Sequence, residues 1–194
     1  MSYEQLGLSI SGETYLDYTG YSVSISSEGT ILAIGSIGDD SGGTDSGSVS
    51  IFQYSNNSWS QLGSTIYGEI AGDYSGYSVS LSDDGTIVAI GAYGNNENGD
   101  DSGHARIFQY TNNDWYQLGS DIDGDAPGDF FGSSVSLSDD GNIVAIGAIG
   151  NDNAGSASGS VSIFQYTNNS WSQLGSTIDG DAAGDYSGYS VSLS

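Results

Sequence analysis

Residues Gly132–Ala148 read GSSVSLSDDGNIVAIGA, and this stretch decides the fold. Small polar residues alternate with Val135 and Leu137, the two-residue period of a strand with one buried face. After Asp140-Gly141, a pair that favours a two-residue hairpin turn because Gly accepts positive φ, the chain runs Asn142 to Ala148 as an almost continuous apolar segment. Such a run suits a strand buried on both faces. Two strands joined by a tight turn are therefore expected, the second more deeply buried than the first.

Working outward, Ser160 to Tyr166 reads as a third strand and Trp171 to Ile178 as a fourth, entered through an Asn-Asn turn. Between the second and third lies a polar loop, Gly150 to Gly159, rich in Gly, Asn, Asp and Ser, expected to project into solvent. Upstream, the whole pattern recurs. Gln-Leu-Gly begins at Gln5, Gln61, Gln117 and Gln173, a step of 56 residues without insertion or deletion, and Gly20, Gly76, Gly132 and Gly188 keep the same step. Asp84-Gly85 and the weaker Glu28-Gly29 occupy the turn position.

A four-stranded antiparallel meander cannot bury both its faces alone, whereas radial stacking of such sheets does so. The expected fold is all-β, a partial β-propeller of about three and a half blades, in a single repeat domain over 1–194. Residues 3–10 are assigned to the outer strand of a preceding blade, 20–66, 76–122 and 132–178 to three complete blades, and 187–194 to the first strand of a fourth. A β-solenoid is the rival, but its rungs are shorter and lack a hairpin turn in every unit.

Charge excludes several partners. There are 25 Asp and Glu against one Lys or Arg, Arg106, for a formal net charge of -24. Nucleic acid and anionic lipid need clustered cations that this chain lacks. Without Cys, disulfides and thiolate metal sites are out of reach. No apolar run approaches the roughly 20 residues of a membrane span, and Met1 to Ile10 lacks signal-peptide character, so an export signal would lie outside this sequence.

Phe131-Gly132-Ser133-Ser134-Val135, the Gly-Tyr-Ser-Val segments at Tyr21, Tyr77 and Tyr189, Ile146-Gly147-Ala148 with Ile90-Gly91-Ala92, and Ser158 to Phe164 together resemble the FG-GAP repeat, the blade of the integrin α-subunit propeller. The resemblance covers essentially the whole chain. It implies a propeller, commonly of seven blades, and an extracellular binding or adhesion role, hence a secreted or cell-surface location with a protein or glycan ligand. Calcium-binding members carry an Asp-x-Asp-x-Asp-Gly loop between the first two strands. Here that connection is only Ser82-Asp83-Asp84-Gly85 or its equivalents, so the family's calcium site does not carry over.

A second acidic pattern does recur. Glu13 and Asp17, Glu69 and Asp73, Asp125 and Asp129, and Asp181 and Asp185 stand four apart in the loop before each first strand. Paired carboxylates on a Gly-flanked loop are candidate Ca²⁺ ligands. The competing reading, favoured by repetition in every unit, is that each Asp makes a side-chain-to-backbone turn bond. Trp59, Trp115 and Trp171 are either sugar-stacking platforms or packing between outer strands, and recurrence favours packing. The loops Asp39 to Gly47, Asn95 to Gly103 and Asn151 to Gly159 vary most on a constant scaffold, as binding surfaces do and as unconstrained surface loops equally do.

His104 and Arg106 break the repeat where sister units have Ser48 and Ser50 or Ser160 and Ser162; no third group makes a catalytic triad, and exposed-face substitution is the expected cause. No catalytic constellation is visible. The function expected is non-catalytic binding or adhesion, with a propeller-scaffold enzyme such as a carbohydrate-active hydrolase as the alternative. Three blades are too few to close a ring. Exposed terminal blades are therefore expected to drive homo-oligomerisation, in the symmetric case through hybrid blades pairing Tyr189 to Ser194 of one copy with Tyr3 to Ile10 of another.

Overall fold

A computed structural model describes residues 4–12 and 14–194. The described residues contain strands and turns and no helix. The first sheet holds β1 (Thr19–Ile25), β2 (Ile31–Ser36), β3 (Ser48–Ser55), β4 (Ser58–Gln61) and the short β5 (Ile66–Tyr67). The second holds β6 (Ser78–Leu81), β7 (Ile87–Ala92), β8 (His104–Thr111), β9 (Asp114–Gln117) and β10 (Ile122–Asp123). In the third are β11 (Phe131–Leu137), β12 (Ile143–Ala148), β13 (Ser160–Thr167), β14 (Ser170–Gln173) and β15 (Ile178–Asp179). Each sheet is an antiparallel meander in chain order, so the three blades expected from the repeat are present.

The second strand explains why the blades need one another. Along β7, Ile87 and Ala89 face one way and Val88 and Ile90 the other, following the two-residue period. Val88 and Ile90 join a core with Ile31, Ala33, Val49, Ile51 and Ile66 of the preceding sheet. Ile87 and Ala89 join another with Val135, Leu137, Val144 and Ile146 of the following one. Each core is thus built by two sheets. The blades approach closely: a Cβ on Gly91 would run into the Gly132 carbonyl oxygen, which is why this position of the Ala-Ile-Gly segment carries no side chain. Serines stitch the first strands together, Ser24 Oγ accepting from Leu81 N–H at 2.9 Å and Ser80 Oγ from Leu137 N–H at 3.0 Å.

Three local expectations are corrected. The fourth strand is not continuous: β14 and β15 pair separately with β13, because the intervening Gly175 takes φ +79°, outside the extended region. The Asp84-Gly85 connection is not a two-residue turn. Gly85 alone has positive φ, its N–H donates to the Ser82 carbonyl, and the Asp84 carboxylate accepts from Thr86 N–H at 2.9 Å, which makes a wider turn. The two-residue turn of each blade is Asn-Asn instead, with both residues at positive φ, as at Asn112 and Asn113.

The third correction concerns the ends. Residues 4–10 form no strand, and Tyr3 lies outside the described residues. Residues 190–194 also form no ladder, yet Ser136 Oγ accepts from Leu193 N–H and Ser134 Oγ donates to the Gly188 carbonyl. The segment 187–194 therefore occupies the first-strand position beside β11 without being a strand. The hybrid pairing of Tyr189 to Ser194 with residues 4–10 finds no preformed strand at either end.

Candidate functional site

The second strands end, and the third strands begin, at one face of the propeller, where the variable loops lie. These loops do not simply project into solvent. Ser46, Ser102 and Ser158 are fully buried at their bases, each donating to a carbonyl at the loop entrance: Asp39, Asn95 and Asn151. Each base also bridges in parallel to the next blade, Gly47 to Ser75, Gly103 to Phe131 and Gly159 to Ser187. A Ser-Gly pair closes the loop, and the stretch before it, such as Asn96 to Asn98 with Asp100 and Asp101, is exposed.

The recurring acidic pairs are mostly taken up by the backbone. Asp73 is buried; its carboxylate accepts from Glu69 N–H at 3.2 Å, Ile70 N–H at 3.1 Å and Asn95 Nδ2 at 3.3 Å. Asp17 accepts from Thr14 N–H, Asp185 from Ala182 N–H, and Asp129 from Asn151 Nδ2. Burial pushes the Asp129 carboxyl up. The first members go elsewhere: Asp125 and Asp181 are exposed, Glu69 turns to Arg106, and Glu13 lies outside the described residues. At the hairpin where family members bind calcium, the Asp84 carboxylate is consumed by Ser82, Thr86 N–H and Thr86 Oγ1, so these residues do not fit that ion.

The second blade departs from its sisters. His104 is 1% exposed and Arg106 5%, so they do not lie on an exposed strand face as expected. The reason is the closure of one blade on the next: Arg106 Nη2 donates to the Tyr67 carbonyl of the preceding blade at 2.8 Å, Nη1 lies 3.4 Å from Glu69 Oε1, and the guanidinium carbon stands 5.5 Å from the Phe108 ring centroid. In the sister blades this position is Ser, bonded to Thr: Ser50 to Thr65 at 3.0 Å and Ser162 to Thr177 at 3.1 Å. Here both members change together, to Arg106 and Asp121.

Around them gather acids. His104 Nδ1 is 3.7 Å from Asp121 Oδ2 and 4.0 Å from Asp123 Oδ1. Glu69, His104 and Asp121 each offer one ligand atom within 4.8 Å of the others, as do Glu97, Asp121 and Asp123. Burial, aided by Arg106, pushes the imidazole pKa down to about 4, against the pull of Asp121 and Asp73. Burial, with Glu97, Asp121 and Glu69 adding negative charge, pushes the Asp123 carboxyl up to about 6. The Glu69 carboxyl is likewise raised by burial, Arg106 opposing. Asp121, Asp123 and Glu97 were not singled out in the sequence. Comparing repeats reveals Asp121 and Glu97, since the sister positions are Thr65 and Thr177, and Ser41 and Asn153.

On the same face runs a chain of aromatic rings. Centroids of Tyr21 and Tyr77 are 5.0 Å apart, Tyr77 and Tyr93 4.4 Å, Tyr93 and Tyr74 5.3 Å, and Tyr93 and Phe130 5.9 Å. A hydrogen bond with Tyr21, with burial, raises the Tyr77 phenol to about 12. Tyr93 at the hub stands where sisters have Ile37 and Ile149. The tryptophans do not join this row. Each indole N–H donates to a leucine carbonyl of the preceding repeat, Trp59 to Leu6, Trp115 to Leu62 and Trp171 to Leu118, a packing role.

The FG-GAP repeat family model matches residues 9–52, 69–108 and 121–164. No curated protein matches the chain. Among solved structures, a protein provisionally assigned as a 6-phosphogluconolactonase from Bacteroides fragilis is similar at 13% identity and TM-score 0.56, covering 82% of this chain and 38% of that one. One with the same provisional assignment from Bacteroides uniformis gives 14% and 0.54, covering 84% and 42%. The hydrazine synthase of Kuenenia stuttgartiensis gives 11% and 0.54, covering 94% and 41%. At these identities the likeness concerns the fold, and this chain spans about two fifths of each structure's length.

Proposed function

Because the chain belongs to the FG-GAP repeat family, we propose that it is a non-catalytic binding or adhesion module of a secreted or cell-surface protein, and that its loop-bearing face takes an uncharged glycan. The observation that carries this reading is the ring chain centred on Tyr93, part-exposed and flanked by acidic loop tips. Aromatic faces stack on the apolar faces of sugars, carboxylates and amides accept from their hydroxyls, and a net charge of -24 disfavours anionic ligands. Uncharged polysaccharides satisfy all three conditions.

A second reading, hydrolysis, draws on Asp123. A carboxyl raised to about 6 beside other carboxylates has the asymmetry of an acid/base pair. One experiment separates the two: the chain is applied to an array of neutral glycans, and the bound ones are then incubated with it and assayed for new reducing ends. Saturable binding that Tyr93→Ile weakens, without turnover, supports the binding module. Turnover that Asp123→Asn abolishes supports the hydrolase, and the absence of both outcomes refutes a glycan ligand.

A further inference from the structure

The cluster around His104 combines carboxylates with an imidazole that has nothing to bond. Both ring nitrogens are buried and unpartnered, as are Arg106 Nε and Asp123 Oδ1, among the described residues. A buried imidazole left without partners bears the desolvation cost of two polar atoms uncompensated, and native proteins rarely leave such groups unless something occupies the space between them. Here the space is bounded by oxygen. Nδ1 points at Asp121 Oδ2 and Asp123 Oδ1, while Gln117 Nε2 holds the other Asp121 oxygen, fixing that carboxylate with Oδ2 towards the ring.

We propose that His104, Asp121 and Glu69, with Asp123 Oδ1 at 4.0 Å from Nδ1 as an adjoining oxygen, form a binding site for one divalent transition-metal ion of the zinc class. The donor set decides the class. One imidazole nitrogen with carboxylate oxygens suits zinc and its neighbours, whereas calcium and magnesium take oxygen alone. Ligands about 2.0–2.2 Å from a tetrahedral ion stand roughly 3.4 Å from one another. The 3.7 and 4.0 Å separations from Nδ1 are slightly wider, and Glu69 offers an oxygen within 4.8 Å of the His104 and Asp121 ligand atoms.

Electrostatics agree with the geometry. Glu69, Glu97, Asp121 and Asp123 bring four carboxylates against one guanidinium, that of Arg106, which pairs with Glu69. The site exists only in the second blade, since the sister positions of His104 and Asp121 are Ser and Thr. It is distinct from the four-apart acidic pairs, sharing with them Glu69 alone.

The chain has a single histidine, which makes the test direct. Protein prepared without a histidine-containing tag is titrated with Zn²⁺ in millimolar calcium, which saturates loose acidic sites, while ring nitrogen resonances are followed and bound zinc is counted by equilibrium dialysis. One zinc per chain is expected, with the Nδ1 resonance moving to completion at one equivalent. His104→Ser and Asp121→Thr, which install the sister-blade residues, should each weaken binding about 100-fold, a typical scale for losing a group that a metal site depends on. Should a variant fail to fold, the wild-type resonance decides. An unmoved ring resonance, or zinc bound equally by His104→Ser, overturns the proposal and leaves a buried water as the occupant. Neither result depends on any glycan being bound.

Discussion

Ile66, Ile122 and Ile178 are the same residue at the same repeat position, paired with Val49, Ala105 and Val161, yet they are 7%, 6% and 57% exposed. The first two sit between sheets and the third has no sheet beyond it. Truncation to Ala removes three carbons, worth about 0.8 kcal/mol each when fully buried, so the transfer cost at Ile66 or Ile122 is about 2.4 kcal/mol. A residual cavity brings it to about 3 kcal/mol. At Ile178 roughly two fifths of the transfer cost applies and no cavity forms, giving about 1 kcal/mol. Because residue and local sequence are nearly constant, denatured-state effects largely cancel. Urea unfolding at nanomolar concentration, followed by tryptophan fluorescence, should show the Ile178 variant about 2 kcal/mol less perturbed than the other two. Equal costs at all three positions would mean that burial comes from within each blade, and would refute cores shared between sheets.

The same gap should narrow at micromolar concentration, where sedimentation should reveal species heavier than one chain, because Val23, Ile25 and Ile178 expose apolar end faces; a single-chain species at all concentrations would remove that expectation. Asp140 accepts from Asn142 N–H and Ser138 Oγ, which holds its carboxyl below the ordinary 3.8. A depressed folded pKa gives stability that is complete above the unfolded value and lost as pH falls through the folded one. As pH falls below about 4, wild-type protein should therefore lose stability that Asp140→Asn does not lose, measured as melting temperature against pH. Trp171→Phe removes the hydrogen bond to Leu118 and should cost about 1 kcal/mol in the same urea assay, with the sheets otherwise intact by circular dichroism.

The sequence made the blades readable because period and punctuation agree. Val135 and Leu137 alternate and Ile143 to Ala148 does not, and the structure buries both faces of the second strand; it buries both faces of the first as well, because Ser134 and Ser136 bond to Gly188 and Leu193. Turn types were less readable, since Asp-Gly fits several turns and the Asp84 side chain, bonding Thr86, selects the wider one. The site was only half visible. His104 and Arg106 stood out as departures from the repeat, but their burial depends on the preceding blade supplying Tyr67 and Glu69, a contact spanning 39 residues in the case of Tyr67 that no local pattern encodes. Asp121 was hidden among 25 acids and becomes conspicuous only when the repeats are set against one another, where Arg106 and Asp121 stand in place of a Ser-Thr pair.

One set of the hydrogen bonds that join one blade to the next, those of the indoles and of the first-strand serines, connects residues 53 to 57 positions apart, from the indole of Trp115 on Leu62 to Ser24 on Leu81. Every such bond has a counterpart one period along. Excising 56 residues between any two equivalent points would thus reconnect each donor with an acceptor of the same kind, whereas a cut one residue longer or shorter would turn every downstream side chain to the wrong face. The length of this architecture is quantised, and the chain can gain or lose material by unequal recombination only in whole periods. The second blade, with its histidine and arginine, is the one increment whose removal would not be silent.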